Sequence, residues 1–359
     1  MVRILAKCFQ RSLGLSSLSD EAMGFSFWMG CRYPHDDTKI RWIQAGPGGI
    51  IRTMKALIRS VLSVFLAAAA LGAAPAAKIR IMTTVVPLRE FAATVAGERA
   101  EVSQLLPPGA GVHTWQPRPG DIARLAECDL LLFIGSGLEP WLPALLKAFP
   151  PGRIRTLEAA TGLAVEGAHE DEGPDAEDEH GHGPLDPHVW LDFELDVRIV
   201  GRIADELTRI DPAGGPEFAA NARRLTARLK KLDARFRDGL AGCRGRDIVL
   251  AGHGAFGYLA RRYGLVQTAL YGLSPDAQPK PKDLMKAVDF CRRKGIHTIF
   301  FENSVPPDLS KTLVREIDGR ALVLHAGHNL TRDQQAGGIG FFDLMEENLA
   351  ALKDGLGCR

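Results

Sequence analysis

Four histidines, His113, His188, His253 and His328, stand far apart in this chain of 359 residues. Each lies in or beside a loop that follows a strand-like run, or near a Gly/Pro turn. Imidazole is the commonest protein metal ligand, and four of them make a tetrahedral site suited to zinc. A zinc finger gathers its ligands within one short segment, so this spacing excludes one. It suits a site assembled between two large lobes. His325 lies on the same turn as His328 and competes for the fourth position. If only His113, His188 and His253 bind, the vacant position could carry a water, and the reading becomes a three-histidine zinc hydrolase. Neither H-E-x-x-H nor G-x-S-x-G occurs. A closed four-ligand site has no vacancy for a substrate, so binding and transport fit better than catalysis, and no catalytic residue is expected.

The elements that must position these histidines alternate between strand and helix. Strands are expected at 79–85, 101–106, 129–134 and 153–157, and helices at 87–96, 121–127 and 141–149. The apolar run 129–134 has the composition of a strand buried in a parallel sheet. A helix at 194–210 precedes a long one at 217–240, where Phe218, Ala222, Leu225, Leu229, Leu232 and Phe236 recur every three or four residues. A second series follows, with strands at 247–251, 267–271, 298–301 and 321–324 and helices at 255–263, 281–294, 309–317 and 341–352. The expected fold class is α/β, with two Rossmann-like lobes of parallel sheet and a helix long enough to run along both, an ordinary packing helix being the alternative. The lobes would span 77–215 and 241–359, with the bridging helix at 216–240. Open α/β sheets bind ligands past the carboxyl ends of their strands. His113, His253 and His328 each follow such a strand, and His188 precedes a helix.

Hydrophobic residues make up 46% and charged residues 24%, which allows ordinary globular cores. A formal net charge of +1 gives no reason to expect nucleic-acid binding. Residues 54–76 read as an export signal: Lys55 and Arg59 precede an apolar stretch, and Ala74-Pro75-Ala76 is a small-residue cleavage site. The stretch is too short and alanine-rich for a comfortable membrane span. Residues 1–53 read as an upstream-start artefact or a disordered extension. The segment 166–184 is acidic and carries His169, His180 and His182, the composition of a surface loop able to hold zinc loosely. Cys128, Cys243, Cys291 and Cys358 lie beyond the leader. Export permits a disulfide. Cys243 and Cys291 share the second lobe and form the expected pair, with isolated buried thiols the alternative.

Gly252-His253-Gly254-Ala255-Phe256-Gly257 matches G-x-G-x-x-G between strand and helix. The acidic residue that would bind a ribose is missing, since the next strand ends at Tyr271-Gly272-Leu273. The glycines are read instead as permitting a tight turn around His253.

From about Lys78 to Gly355 the chain resembles the cluster A-I substrate-binding proteins of ABC transporters, the periplasmic zinc and manganese receptors. The likeness rests on Leu106-Pro107-Pro108-Gly109 before His113-Thr114-Trp115-Gln116-Pro117, on Gly137-Leu138-Glu139-Pro140-Trp141, on Asp186-Pro187-His188-Val189-Trp190-Leu191-Asp192, and on His253-Gly254-Ala255-Phe256-Gly257-Tyr258. The resemblance implies two α/β lobes joined by one long rigid helix and a metal held between them, with His113, His188 and His253 matching three family ligands. The fourth is usually a carboxylate after the last strand, and here His328 fits that place best. Val112 replaces the usual proline before the first ligand. Carboxylates suit manganese and imidazoles suit zinc, so Zn2+ is the expected cargo and manganese the less favoured one. The implied partner is an inner-membrane ABC permease, and the receptor is expected to be a periplasmic monomer with no membrane insertion after signal cleavage. A metal-dependent adhesin or a zinc chaperone is the other reading. Neutral imidazole is required for binding, which predicts zinc release as pH falls towards about 6.5 and below.

Overall fold

The computed structural model describes residues 77–164, 185–271, 281–302 and 307–359, together with strands Trp28–Met29 and Ile43–Gln44. Those two short strands pair antiparallel within a separate compact unit, Met1–Pro75. The export signal and the acidic segment 166–184 fall outside the described residues. Among the described residues, no helix is long and apolar enough to cross a membrane.

The unit Ala76–Arg359 contains two parallel sheets. In the first, β1 (Ile79–Thr83) lies between β2 (Ala100–Gln104) and β3 (Leu130–Phe133), with β4 (Arg155–Glu158) outside β3. In the second, β5 (Asp247–His253) lies between β6 (Val266–Tyr271) and β7 (Thr298–Phe301), with β8 (Arg320–Val323) outside β7. Counted in chain order, each sheet runs second, first, third, fourth. Each therefore has its switch point between its first and third strands, where loops leave in opposite directions and open a crevice.

The helices are α1 (Val86–Ala96), α2 (Pro119–Ala126), α3 (Leu142–Leu146), α4 (Phe193–Ile210), α5 (Gly215–Ala241), α6 (Gly257–Tyr263), α7 (Pro281–Lys294), α8 (Pro307–Glu316), α9 (Arg332–Ala336) and α10 (Phe341–Gly355). The whole expected apolar stripe of α5 is buried. With 27 residues, α5 is about 40 Å long. It packs against α1, α4, α6 and α10, so it touches helices belonging to both sheets. One core joins Phe91 of α1, Phe193 of α4, Phe236 of α5 and Phe341 of α10. Strand alternation divides the second sheet between two faces. Ile248, Leu250 and Phe300 enter that large core, whereas Val249, Ala251, Ile299 and Phe301 form a smaller one with Val288 and Cys291 of α7.

Two expectations change. The helix expected at 141–149 closes at Leu146, and the chain turns ahead of Pro150-Pro151, neither of which can donate an N–H. Cys243 is bonded to Cys358 and not to Cys291. Cys291 sits completely buried in the small core under α7, as does Cys128 in the large one, and both are free thiols. Cys243 follows α5, and α10 brings the chain back so that Cys358 pairs with it as an antiparallel bridge.

Candidate metal centre

His113, His188 and His253 converge, with one ring nitrogen from each lying within 4.8 Å of the others. His253 is the last residue of β5, at the switch point of the second sheet. His188 precedes a 3-10 turn, Val189–Leu191, that leads into α4. That helix is fixed at its start by Asp192, whose carboxylate accepts from Glu194 N. His113 lies on the loop beyond β2. The Trp141 indole donates to the carbonyl of Val112, its neighbour, at 2.8 Å.

Two buried carboxylates decide which nitrogen each ring presents. Asp186 Oδ1 lies 2.9 Å from His188 Nδ1, and Glu302 Oε1 lies 2.6 Å from His253 Nδ1. A carboxylate accepts, so each Nδ1 carries the proton and each Nε2 keeps its lone pair. Those two Nε2 atoms face one another at 3.2 Å. Two lone pairs at that distance repel unless a cation lies between them. Nitrogens bound tetrahedrally to one zinc at about 2.0–2.1 Å are about 3.3–3.4 Å apart. The pair therefore has the spacing of two zinc ligands.

His113 Nε2 and His328 Nδ1 are shut off from water with no hydrogen-bond partner among the described residues. Buried polar atoms without partners are rare in native proteins, and the His113 ring lies 5.7 Å, centroid to centroid, from both His188 and His253. Burial holds the His113 imidazole down to about 2, helped by His188, His253 and His328. Burial likewise lowers His328 to about 4, with His253 and His188 adding to the effect and Glu302 opposing it. His188 is lowered by burial against the opposing pull of Asp186. Burial alone would raise the Glu302 carboxyl, but the charge and hydrogen bond of His253, with His328 and His188, keep it below its ordinary value. Burial thus favours the neutral form of His113, His188 and His328, the form in which an imidazole binds a cation.

The structure does not bring His328 into the spacing of the other three. Its segment is nevertheless anchored beside them. Val86 N donates to the His328 carbonyl, and the Trp190 indole donates to the Ala326 carbonyl at 2.7 Å. The Trp190 ring also stands edge-on to His188, with centroids 5.4 Å apart. His325 turns elsewhere, with Nε2 2.9 Å from Glu347 on α10 and its backbone N–H donated to Asn348. His297 hydrogen-bonds through Nδ1 to the carbonyls of Ile317 and Asp318.

Sequence reasoning missed the roles of Glu302 and Asp186. Glu302 directly follows the apolar strand β7, so the strand-end rule applied to the histidines would have found it. The G-x-G-x-x-G segment has a related explanation. A Cβ on Gly252 would stand 2.8 Å from Glu302 Oε1, and one on Gly257 would stand 2.9 Å from Asp186 Oδ2. These glycines leave room for the two carboxylates that orient His253 and His188.

Paired parallel sheets of one topology, with imidazoles gathered at their strand ends, define a metal-binding protein of the two-sheet α/β receptor class. A family model described as the periplasmic component A of the zinc-uptake complex, ZnuA, matches residues 81–355. The high-affinity zinc uptake system protein ZnuA of Bacillus subtilis is 31% identical over 281 residues, covering 78% of this chain and 88% of that protein. The zinc-binding lipoprotein AdcA of Streptococcus pneumoniae is 32% identical over 306 residues. That match covers 84% of this chain, which spans only 61% of the pneumococcal protein. The crystal structure of Zn(II)-bound AdcA from Streptococcus pneumoniae superposes with a TM-score of 0.66 at 31% identity, covering 78% of this chain and 58% of that one. The chain belongs to the ZnuA family.

Proposed function

We propose that this protein is an extracytoplasmic zinc receptor that captures Zn2+ between its two halves and delivers it to an inner-membrane ABC permease. His113, His188, His253 and His328 hold the ion, with Asp186 and Glu302 orienting His188 and His253 from behind. Residues 54–76 direct export, and the mature chain works as a monomer whose halves, 77–215 and 241–359, are braced by helix 216–240. The observation that carries this reading is the pair of Nε2 atoms facing each other at 3.2 Å, each ring fixed by a buried carboxylate. An all-imidazole donor set favours zinc over manganese. The names of the Bacillus subtilis and Streptococcus pneumoniae relatives point the same way.

Catalysis is not part of this reading. A zinc hydrolase needs a base beside its bound water. Among the described residues, the carboxylates of Asp186 and Glu302 that touch the cluster are each already engaged by an imidazole.

Competition titration with a zinc chelator tests the proposal. Wild type is expected to bind one Zn2+, more tightly than Mn2+, and His113→Ala, His188→Ala and His253→Ala are each expected to weaken it at least tenfold. Equal affinity in all three variants would remove the site. Uptake of zinc by cells lacking the receptor gene, measured with and without this protein, tests delivery to a permease.

A further inference from the structure

Asn329 follows His328 directly, and its side chain reaches across to the loop that carries His113. Its Nδ2 donates to the carbonyls of Pro107 at 2.9 Å and Ala110 at 2.7 Å. Its Oδ1 accepts from Gln104 Nε2 at 3.2 Å and from its own neighbour, Leu330 N, at 2.9 Å. A primary amide offers two donors and an acceptor with two lone pairs, so its full capacity is spent. Two of the four bonds run to the loop between β2 and His113, and a third to Gln104 at the end of β2. A fourth cross-bond joins the same two loops through the backbone, from Gly109 N to the Leu330 carbonyl at 2.8 Å.

The His113 loop needs such a fastening. Pro107 and Pro108 have no N–H, so that stretch cannot build a backbone ladder of its own. The loop is held on its other flank through Val112, by Trp141. The far side of Asn329 is fixed as well: Thr331 caps α9 reciprocally with Gln334. The amide therefore joins two supported segments, one ending in His113 and the other beginning with His328. His113 is also the one member of the three-histidine cluster that retains partial exposure, which makes its loop the side from which an ion can leave. A cleft bordered by Gln104, Pro107, Pro108, Asn329 and Gln335 lets water reach this fastening. Water can then compete for its bonds, so it can open without unfolding the core.

We propose that Asn329 is a latch between the two histidine-bearing loops, a positioning residue that sets how long bound zinc stays. The proposal rests on the receptor reading given above. Asparagine is suited to the task because aspartate would place oxygens against two carbonyls, and alanine would leave the Gly109–Leu330 backbone bond without the amide's support.

The experiment is stopped-flow zinc dissociation from the metal-loaded full chain into excess chelator, for wild type, Asn329→Ala, Gln104→Leu, His113→Ala and the double variant Asn329→Ala/His113→Ala. Loss of the cross-loop amide bonds is expected to speed release roughly ten- to hundredfold, at about tenfold per one to two hydrogen bonds. Gln104→Leu, which spares the amide and removes one partner, is expected to speed it about two- to fivefold, and it carries the test if Asn329→Ala does not fold. The double variant is expected to match His113→Ala within about twofold, since a latch has nothing to position once its histidine is gone. The ligand-field band of the cobalt-loaded protein is expected to weaken in Asn329→Ala, which a role in stability alone would not cause. Wild-type release rates in both Asn329→Ala and Gln104→Leu, alongside fast release in His113→Ala, would overturn the latch and leave the receptor intact. Independent, multiplying effects of Asn329→Ala and His113→Ala would also overturn it. Unchanged release in His113→Ala would overturn the metal site itself.

Discussion

Glu302 Oε1 stands 2.6 Å from His253 Nδ1, and both residues are buried. They end and follow neighbouring strands, β5 and β7, so the sheet itself fixes their separation. The carboxylate holds the proton on Nδ1 and raises the basicity of Nε2. Replacing it with a neutral amide keeps the shape and removes the charge. Glu302→Gln is expected to weaken zinc binding about ten- to hundredfold, the usual effect of losing a carboxylate behind a ligating histidine. Chelator competition measures it, and an affinity within about threefold of wild type would remove Glu302 from the site.

His328 and His325 lie close in sequence but face different surroundings. His328 Nδ1 is buried beside other imidazoles with no partner, whereas His325 is paired with Glu347. His328→Ala is therefore expected to weaken zinc at least tenfold, and His325→Ala to leave it within about threefold. His325→Ala should instead cost a small amount of stability, about 0–1 kcal/mol, because Glu347 is more than half exposed. A zinc titration with the two results exchanged would assign the fourth ligand to His325.

The histidine cluster was legible because each member sits at a strand end or beside a helix start, and apolar runs such as Leu130–Phe133 mark the strands plainly. The long helix was legible from its stripe. Glu302 stands directly after an apolar strand, where the same rule reaches it, but its role behind His253 shows only once the neighbouring strand is known. Asn329 was hidden for the same reason: its bonds join residues more than two hundred positions apart. The Cys358 pairing depended on where α10 returns the chain, which local pattern does not encode. His328 is expected from its position along the chain, yet it does not join the other three within 4.8 Å, a matter of loop geometry beyond the reach of sequence spacing.

The lowered His113 and His328 values set a pH dependence for the metal-free protein. In the unfolded chain both imidazoles take up protons near pH 6.5. In the folded chain His328 resists until about 4 and His113 until about 2. The unfolded state thus binds more protons over that window, so folded stability falls as pH drops below about 6.5. Each group contributes up to about 1.4 kcal/mol per pH unit, with the His328 share ending near pH 4. The same resistance moves zinc release below the free-histidine value of about 6.5 expected from sequence. Urea midpoints of the metal-free protein between pH 7 and 4 check this, and a flat profile would contradict it.

Asp196 on α4 is completely buried, and neither carboxylate oxygen has a hydrogen-bond partner among the described residues. Burial, with Asp192 adding repulsion, pushes its carboxyl well above the usual range against the pull of Arg262. Arg262 is itself committed to Asp192 at 3.0 Å and Asp233 at 2.6 Å. Burial therefore favours the protonated acid, and a polar group left unsatisfied in the core costs about 1–3 kcal/mol. Asp196→Leu is expected to recover about that amount and to raise the denaturation midpoint without changing zinc affinity. A lower midpoint would mean that the carboxyl has a partner after all.

The Cys243–Cys358 bond closes a sequence separation of 115 residues and fastens the end of α10 to the start of the second sheet. Its main effect on stability comes from restricting the unfolded chain, and removal of such a bond costs about 2–5 kcal/mol. It lies at the strand-start end of the second sheet, since Cys243 precedes Asp247 and the histidine cluster gathers where β5 ends. Cys243→Ser is therefore expected to lower the melting temperature while zinc affinity and release rate stay within about twofold of wild type. The separation of the two effects follows from α5 and the joint aromatic core of Phe193, Phe236 and Phe341, which hold the halves together without the bond. A variant that melts lower and also loses zinc faster would show instead that the bond helps to hold the cluster, and that the core alone does not fix it.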